Sequence, residues 1–403
     1  LLTIDQDLFL DSQAGDVVLD QVAVRSEGGT VRAQGQSVRL TDAQIDVSSS
    51  TSTGGAVDLL GGSVVVDGAT QIRADGSNQA GAIRIGGDAK GANPEIRTAS
   101  TTFLGDDVVI SANGLDQGDG GRIIVWSDDN TAMLARLEAQ GGANGGDGGF
   151  IETSSAGVIS VGSFAPTTDA PNGISGLYLL DPAEVWICSD KCPDGGEIIL
   201  DGGIEWRSFI SDASVVQSLA NNGTYVIEAD HTIRVVDSVE PSLTNSNGDP
   251  SSANLVLRTT KSGFYDTSPA TGREGTQEQG GIIIDALVGY GGAERKGSLD
   301  LVIDSQGYVD INVPLNMNST SFPSPQGGSL VISAGELKVN ENGADPLFIN
   351  KSLLADAISI TAPSLEFGSN TTESPLNFTK SAGNIIEPSS SIQFISTVGA
   401  ILF

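Results

Sequence analysis

The chain has little of the equipment that catalysis and nucleic-acid binding usually need. Its 403 residues contain one histidine, two cysteines, two methionines and three tryptophans. Only 20 Lys and Arg stand against 51 Asp and Glu, a formal net charge of −31. Phosphate binding requires a basic stripe that releases counterions, so nucleic acid is excluded and anionic membrane surfaces are disfavoured. No run approaches the ~18 uninterrupted apolar residues of a membrane-spanning helix. Aromatics make up 5% of the chain, too few for a core built on large rings. The opening Leu1-Leu2-Thr3-Ile4 carries neither an initiator Met nor a basic-then-apolar signal peptide, so the sequence reads as an interior or processed piece of something longer.

Glycine, by contrast, is plentiful. The 52 Gly and 15 Pro stay below the roughly 25–30% at which a non-periodic chain is disordered, and 38% hydrophobic residues suffice for a core. The glycines recur in one pattern, a Gly pair followed by alternating apolar residues. It appears as Gly28-Gly29-Thr30-Val31, Gly61-Gly62-Ser63-Val64, Gly120-Gly121-Arg122-Ile123, Gly148-Gly149-Phe150-Ile151, Gly195-Gly196-Glu197-Ile198, Gly280-Gly281-Ile282-Ile283 and Gly327-Gly328-Ser329-Leu330. Each reads as a turn delivering a short strand. Further short strands are predicted at 17–19, 38–40, 45–47, 108–110, 158–161, 255–257, 299–303, 309–313 and 358–360.

Very short strands, small-residue corners and no internal boundary predict an all-β chain folded as a parallel β-helix. A coil of roughly 20–25 residues would give on the order of 16–20 coils, a rod of roughly 75–95 Å at about 4.8 Å per layer. One segment departs from strand periodicity: 206–221 spaces Phe209, Ile210, Ala213, Val216, Leu219 and Ala220 helically, and Asn222-Gly223 follows as a stop. A short helix is therefore expected near 207–221. The chain divides accordingly into a shaft at 1–187, a junction at 188–222 and a continuing shaft at 223–403.

From residue 81 onward the sequence resembles the large bacterial exoproteins of the filamentous haemagglutinin type. The resemblance rests on Gly86-Gly87-Asp88, Ile124-Val125-Trp126, Gly148-Gly149-Phe150-Ile151-Glu152 and Leu179-Leu180-Asp181-Pro182, in that order, and ends at Ile187. It continues more weakly through 222–227, 255–258 and 280–285. The resemblance implies a right-handed parallel β-helical shaft exported by two-partner secretion through an outer-membrane transporter, located at the cell surface. It also implies contact with a host or neighbouring-cell surface or matrix, with no membrane insertion. Two departures stand out. The N-terminal secretion domain of that family is not evident, and Cys188 and Cys192 follow the "LLDP" strand where the family has no cysteines.

Cys188-x-x-x-Cys192 lacks the further ligands of a zinc site and the two-residue spacing of a redox motif, so it reads as a structural disulfide. His231, beside Asp230, has no nucleophile motif in company and reads as solvated on a turn. Asp106-Asp107, Asp128-Asp129 and Asp116/Asp119 are the best enzymatic candidates, since β-helical polysaccharide enzymes use clustered carboxylates. Their simpler reading is turn capping and solubility. GGANGGDGGF at 141–150 is a single degenerate copy of a calcium-binding repeat, so no cofactor is expected, Ca²⁺ being the one ion these turns would admit. The turn glycines Gly120, Gly121, Gly148, Gly149, Gly195 and Gly196 are assigned a structural role. Five N-x-S/T sequons occur, at Asn222, Asn318, Asn350, Asn370 and Asn377, and no Arg-Gly-Asp is present.

The expected function is that of a non-enzymatic structural and adhesive segment, a rigid extracellular rod or fibre for adhesion or biofilm cohesion. The alternative is a β-helical carbohydrate-binding or polysaccharide-cleaving protein. Strand-like termini, Leu2-Thr3-Ile4 and Ile401-Leu402-Phe403, predict end-to-end self-assembly or continuation into further chain.

Overall fold

The computed structural model describes residues 2–3, 6–189, 207–244, 250–261, 280–290 and 296–311, then 313, 315–317, 328–334 and a series of strands up to 402. Among the described residues the fold is all-β with one α-helix, and its strands pair in long parallel ladders. It divides into two compact units, Leu1–Pro182 with Asn221–Tyr225, and Ala183–Ala220 with Val226–Phe403.

In the first unit the chain visits three parallel ladders in fixed order. One contains Leu8–Asp11, the first halves of Thr30–Thr41 and Ala56–Asp67, then Ala82–Ile85, Arg122–Ser127, Phe150–Ser155 and Leu177–Asp181. The second contains Val17–Asp20, the second halves of the same two long strands, Thr101–Leu104, Asn130–Met133 and Val158–Val161. The third stacks Leu2–Thr3, Ala23–Arg25, Gln44–Asp46, Gln71–Arg73, Val109–Ser111 and Arg136–Glu138. Partners one layer apart are 21–23 residues apart in the first layer, within the predicted 20–25, and 26–29 residues apart in most later ones. The separation rises to 38–40 where residues 86–100 are inserted.

The core follows from the register. Val31, Val57, Ile83, Ile123, Ile151 and Tyr178 form one buried column. Val24, Ile45, Ile72, Ile110 and Leu137 form another on the third ladder. Strict in-register stacking puts like on like, so β-branched and γ-branched side chains contact their own kind one strand spacing away. Each such burial stabilises by about 1.5–3 kcal/mol.

The second unit repeats the plan. Val185–Ile187, Thr232–Val235, Gly281–Ile284, Tyr308–Ile311 and Leu347–Ile349 stack in one parallel ladder. Ser252–Thr259, Ser298–Ser305, Ser329–Ala334, Ala357–Ala362 and Ser391–Ser396 stack in another. Among the described strands one pair departs from the parallel rule: Phe378–Ala382 runs antiparallel to Ile385–Pro388.

Two local readings are corrected. The helix spans Asp212–Asn221, not the whole of 207–221, and Ser208–Ile210 is a strand paired with Val185–Ile187. Ser211 decides the boundary: its Oγ accepts from the Ser214 amide at 3.0 Å, an N-cap that bars helix upstream. Ile210 is buried in the ladder and Phe209 faces the edge of Trp186 at 6.3 Å. Gly61-Gly62, read as a turn, lies inside the continuous strand Ala56–Asp67, where the chain passes from one ladder to the next without leaving extended conformation.

Candidate functional site

The most densely charged feature of the first unit is a column on the outward face of its first ladder. Register places Arg32, Asp58, Arg84, Ile124 and Glu152 one above another. Asp58 is only 2% exposed and takes both guanidinium groups: Arg32 Nη2 at 2.8 Å on Oδ2, and Arg84 Nε at 2.8 Å on Oδ1. A carboxylate this buried is tolerable because its lone pairs are satisfied from above and below.

A loop at 86–100 closes over this column. Its stem is tied where the Ala99 amide donates to the Gly86 carbonyl at 2.7 Å, the closed-end geometry of an Ω-loop. Asp88, at its start, accepts from the Ala89 amide and Asn93 and lies 3.6 Å from Arg84. Burial alone would push the Asp88 carboxyl up, but the bonds from Asn93 and Ala89, with the charges of Arg84 and Arg122, hold it below its usual range. Lys90 and Gly91 have φ of 53° and 57°. The Gly91 conformation admits no side chain, since a Cβ there would lie 2.6 Å from the Trp126 ring. Trp126 is thus roofed by glycines, 7% exposed, with Nε1 donating to Asp128 at 3.1 Å.

Glu152 lies beneath the loop with no exposed surface. Its Oε1 accepts from the Lys90 amide at 2.7 Å and from Ser154 Oγ at 2.9 Å, while Oε2 is buried without a hydrogen-bond partner. Burial raises its pKa, opposed by those two bonds and by the charges of Arg122 and Lys90. The sequence signal for this column is periodic: Arg32, Asp58 and Arg84 alternate in sign at intervals of 26 residues. That signal needs the layer length, which the strand pattern alone leaves short.

The predicted acidic candidates do not converge. Asp106, Asp107, Asp116, Asp119, Asp128 and Asp129 are all exposed. Three of the hydrogen bonds they accept come from residues 28 or 30 positions away, and a fourth comes from two residues back. Asp119 accepts from the Asp147 amide at 2.8 Å, Asp116 from Asn144 at 2.6 Å, and Asp128 from Thr98 and Trp126. Among the described residues no three His, Cys, Asp or Glu side chains group as a metal site.

Gly120, Gly121, Gly148 and Gly149 belong to a stacked glycine line with Gly55, Gly81 and Gly176. The carbonyls of Gly55, Gly81, Gly121, Gly149 and Gly176 each accept from an amide of the next layer, as in Arg122 to Gly81 at 3.0 Å and Phe150 to Gly121 at 2.9 Å. A Cβ on Gly81, Gly121 or Gly149 would fall 1.8–2.1 Å from the carbonyl oxygen below. An open groove of about 710 Å³ runs along this line, with Arg122 its single titratable lining residue. Arg122 stacks on Phe150, 4.8 Å from the ring centre. Gly195 and Gly196 lie outside the described residues.

Cys188 is buried, its amide donating to Ile210 at 2.9 Å, and no free cysteine occurs among the described residues; Cys192 lies outside them. His231 is not the solvated turn residue expected. Its amide donates to the Ala183 carbonyl and its Nδ1 is buried without a partner. Burial, then the charge of Lys261, lowers its pKa despite Asp230 and Glu184. The sequon residue Asn222 is 3% exposed, its Oδ1 accepting from Thr168 N and Oγ1 and its Nδ2 donating to Pro166 O, so its amide is committed internally. The other four sequons lie outside the described residues. In the second unit, Trp186 is flanked by Arg207 and Arg234 at 4.1 and 5.0 Å from its ring centre, with Arg207 on Glu184 and Arg234 on Asp285.

No protein-family model matches this chain, and no characterised protein matches it significantly. The likeness to filamentous haemagglutinin-type exoproteins therefore stands on the motifs themselves. Among the described residues no helix is long and apolar enough to cross a membrane.

Proposed function

We propose that the chain is a structural and adhesive segment of a secreted bacterial surface exoprotein, its ladders wound as a right-handed parallel β-helical shaft. In this reading it passes through an outer-membrane two-partner secretion transporter, and its role is a rigid extracellular rod or fibre that contacts a host surface, a neighbouring cell or the biofilm matrix. It is not an enzyme. The observation that carries the reading is how the outward-facing charges of the first unit are used: Arg32–Asp58–Arg84, Asp119–Asp147 and Asp116–Asn144 each tie one layer to the next. A catalytic groove would instead hold carboxylates converging on a shared space. The Cys188–Cys192 pair belongs to the same reading as a staple of a local turn, with an intact mass two hydrogens below that of the reduced chain as its check.

Small-angle scattering on the purified chain tests the shaft, which requires an elongated particle; a compact, isometric one overturns it. The carbohydrate alternative is tested separately by incubation with a panel of acidic and neutral polysaccharides. Release of unsaturated products or reducing ends would replace the structural reading with an enzymatic one.

A further inference from the structure

We propose that Glu152 is a protonation-dependent latch that holds the 86–100 loop closed over the charged column. The geometry sets the requirement. Oε1 already accepts two hydrogen bonds, from Lys90 N and Ser154 Oγ, and Oε2 is buried among described residues with no donor to meet it. An ionised carboxylate in that position leaves one oxygen carrying charge with neither water nor a donor. The neutral acid keeps both Oε1 bonds and removes the charge. The closed loop therefore binds the proton, and the open loop, with Glu152 hydrated, releases it.

The charged and titratable groups around Glu152 come from each packed element. The loop contributes Asp88 and Lys90, the latter 4.0 Å from Asp181 at the end of Leu177–Asp181. Arg122 stands on the neighbouring strand with Trp126, and Arg84 lies one layer further on. Arg122 and Lys90 favour the ionised form, yet burial outweighs them. Asp88 acts with the opposite sign: its lowered pKa makes it a holding group as an anion, lost only as the pH falls through that lowered value.

The sign for Glu152 follows from linkage. Its folded pKa is raised above the ordinary 4.5, so its contribution to closure is fully present below 4.5 and is lost as the pH rises through the folded value. With Asp88 failing on the acid side, the loop is tightest between the ordinary values of the two groups, 3.8 for Asp88 and 4.5 for Glu152. Between the open-state and closed-state pKa values of Glu152 the open population grows about tenfold per pH unit, then levels off once the closed form also ionises.

The test is hydrogen exchange of the full chain, read by mass spectrometry on peptides covering 86–100 and normalised to intrinsic rates between pH 4 and 9. The latch requires loop protection to fall with rising pH in the wild type, with protection of Ala56–Asp67 unchanged. Glu152→Gln, which keeps an acceptor at Oε1 and stays neutral, should retain the acid-side protection at every pH, whereas Asp88→Asn should leave the alkaline loss in place. A flat wild-type profile, or an equal slope in Glu152→Gln, overturns the proposal. Should Glu152→Gln fail to fold, infrared spectroscopy of the wild type decides. A protonated carboxyl stretch that persists above the range of exposed Glu, and disappears as the loop loses protection, sustains the latch; complete ionisation within that ordinary range refutes it.

Discussion

The rings of Tyr178 and Tyr225 stack 4.9 Å apart and within 2° of parallel. That distance matches one strand spacing, and Leu177–Asp181 pairs with Thr224–Ala229, so the layering itself brings the two rings together as a parallel stack. Both side chains are 1% exposed. Replacing Tyr225 by Leu keeps most of the buried volume and should cost about 0.5–1.5 kcal/mol from the lost ring pair, whereas Tyr225→Ala should cost about 3–5 kcal/mol. Urea unfolding followed by near-ultraviolet circular dichroism checks the order and the gap.

The glycine line makes a sharper prediction. In Gly81→Ala the added methyl would meet the Gly55 carbonyl oxygen at 1.8 Å, a clash with backbone that no rotamer relieves. Gly15→Ala meets only the Ser12 hydroxyl, at 3.0 Å, which can swing away. Gly81→Ala should cost more than about 3 kcal/mol and raise hydrogen exchange in the neighbouring layers, while Gly15→Ala should stay within about 1 kcal/mol. Similar losses in the two variants would refute the close-approach explanation.

Asp58 should matter more than either of its arginines. Removing it leaves two guanidinium groups without their shared buried carboxylate, whereas removing one arginine leaves Asp58 the other. Side-chain exposure is 2% for Asp58, 25% for Arg84 and 38% for Arg32. The expected order of destabilisation is Asp58→Ala, then Arg84→Ala, then Arg32→Ala, with the first at about 3 kcal/mol or somewhat less because the arginines retain solvent. Thermal unfolding at low and high salt measures the order, and weak salt dependence for Asp58→Ala is expected of a buried pair.

His231 gives the second unit a pH dependence of known sign. Its folded pKa lies below 6.5, lowered by burial and then by Lys261. Its contribution is therefore fully present above 6.5 and is lost as the pH falls toward the folded value, because the unfolded chain takes the proton first. As the chain's one histidine, its imidazole signal can be titrated by NMR without assignment. A midpoint at or above 6.5 would contradict the burial of Nδ1. His231→Gln should flatten the loss of stability between pH 7 and 5.

The alternation of small corners with Val and Ile runs was enough to specify parallel strands, and the resemblance supplied an order of motifs. Both are local properties: backbone conformation at glycine, and the fit of branched side chains to a pleated surface. The expected layer length holds for the first layer and falls short beyond it, because corner residues leave no periodic mark of their own. With it went the alignment of Arg32, Asp58 and Arg84, which are charges of ordinary appearance until a 26-residue register stacks them.

What the sequence determined by itself is thus the class of fold, since strand and turn chemistry act within a few residues. Which carboxylates matter was decided only in three dimensions. The adjacent pairs Asp106-Asp107 and Asp128-Asp129 are exposed, while Asp58 and Glu152, unremarked for their charge, are buried. Burial depends on which layer lies above and which loop closes over it, and it is burial that turns a carboxyl group from a solvated charge into an anchor or a proton-sensitive latch.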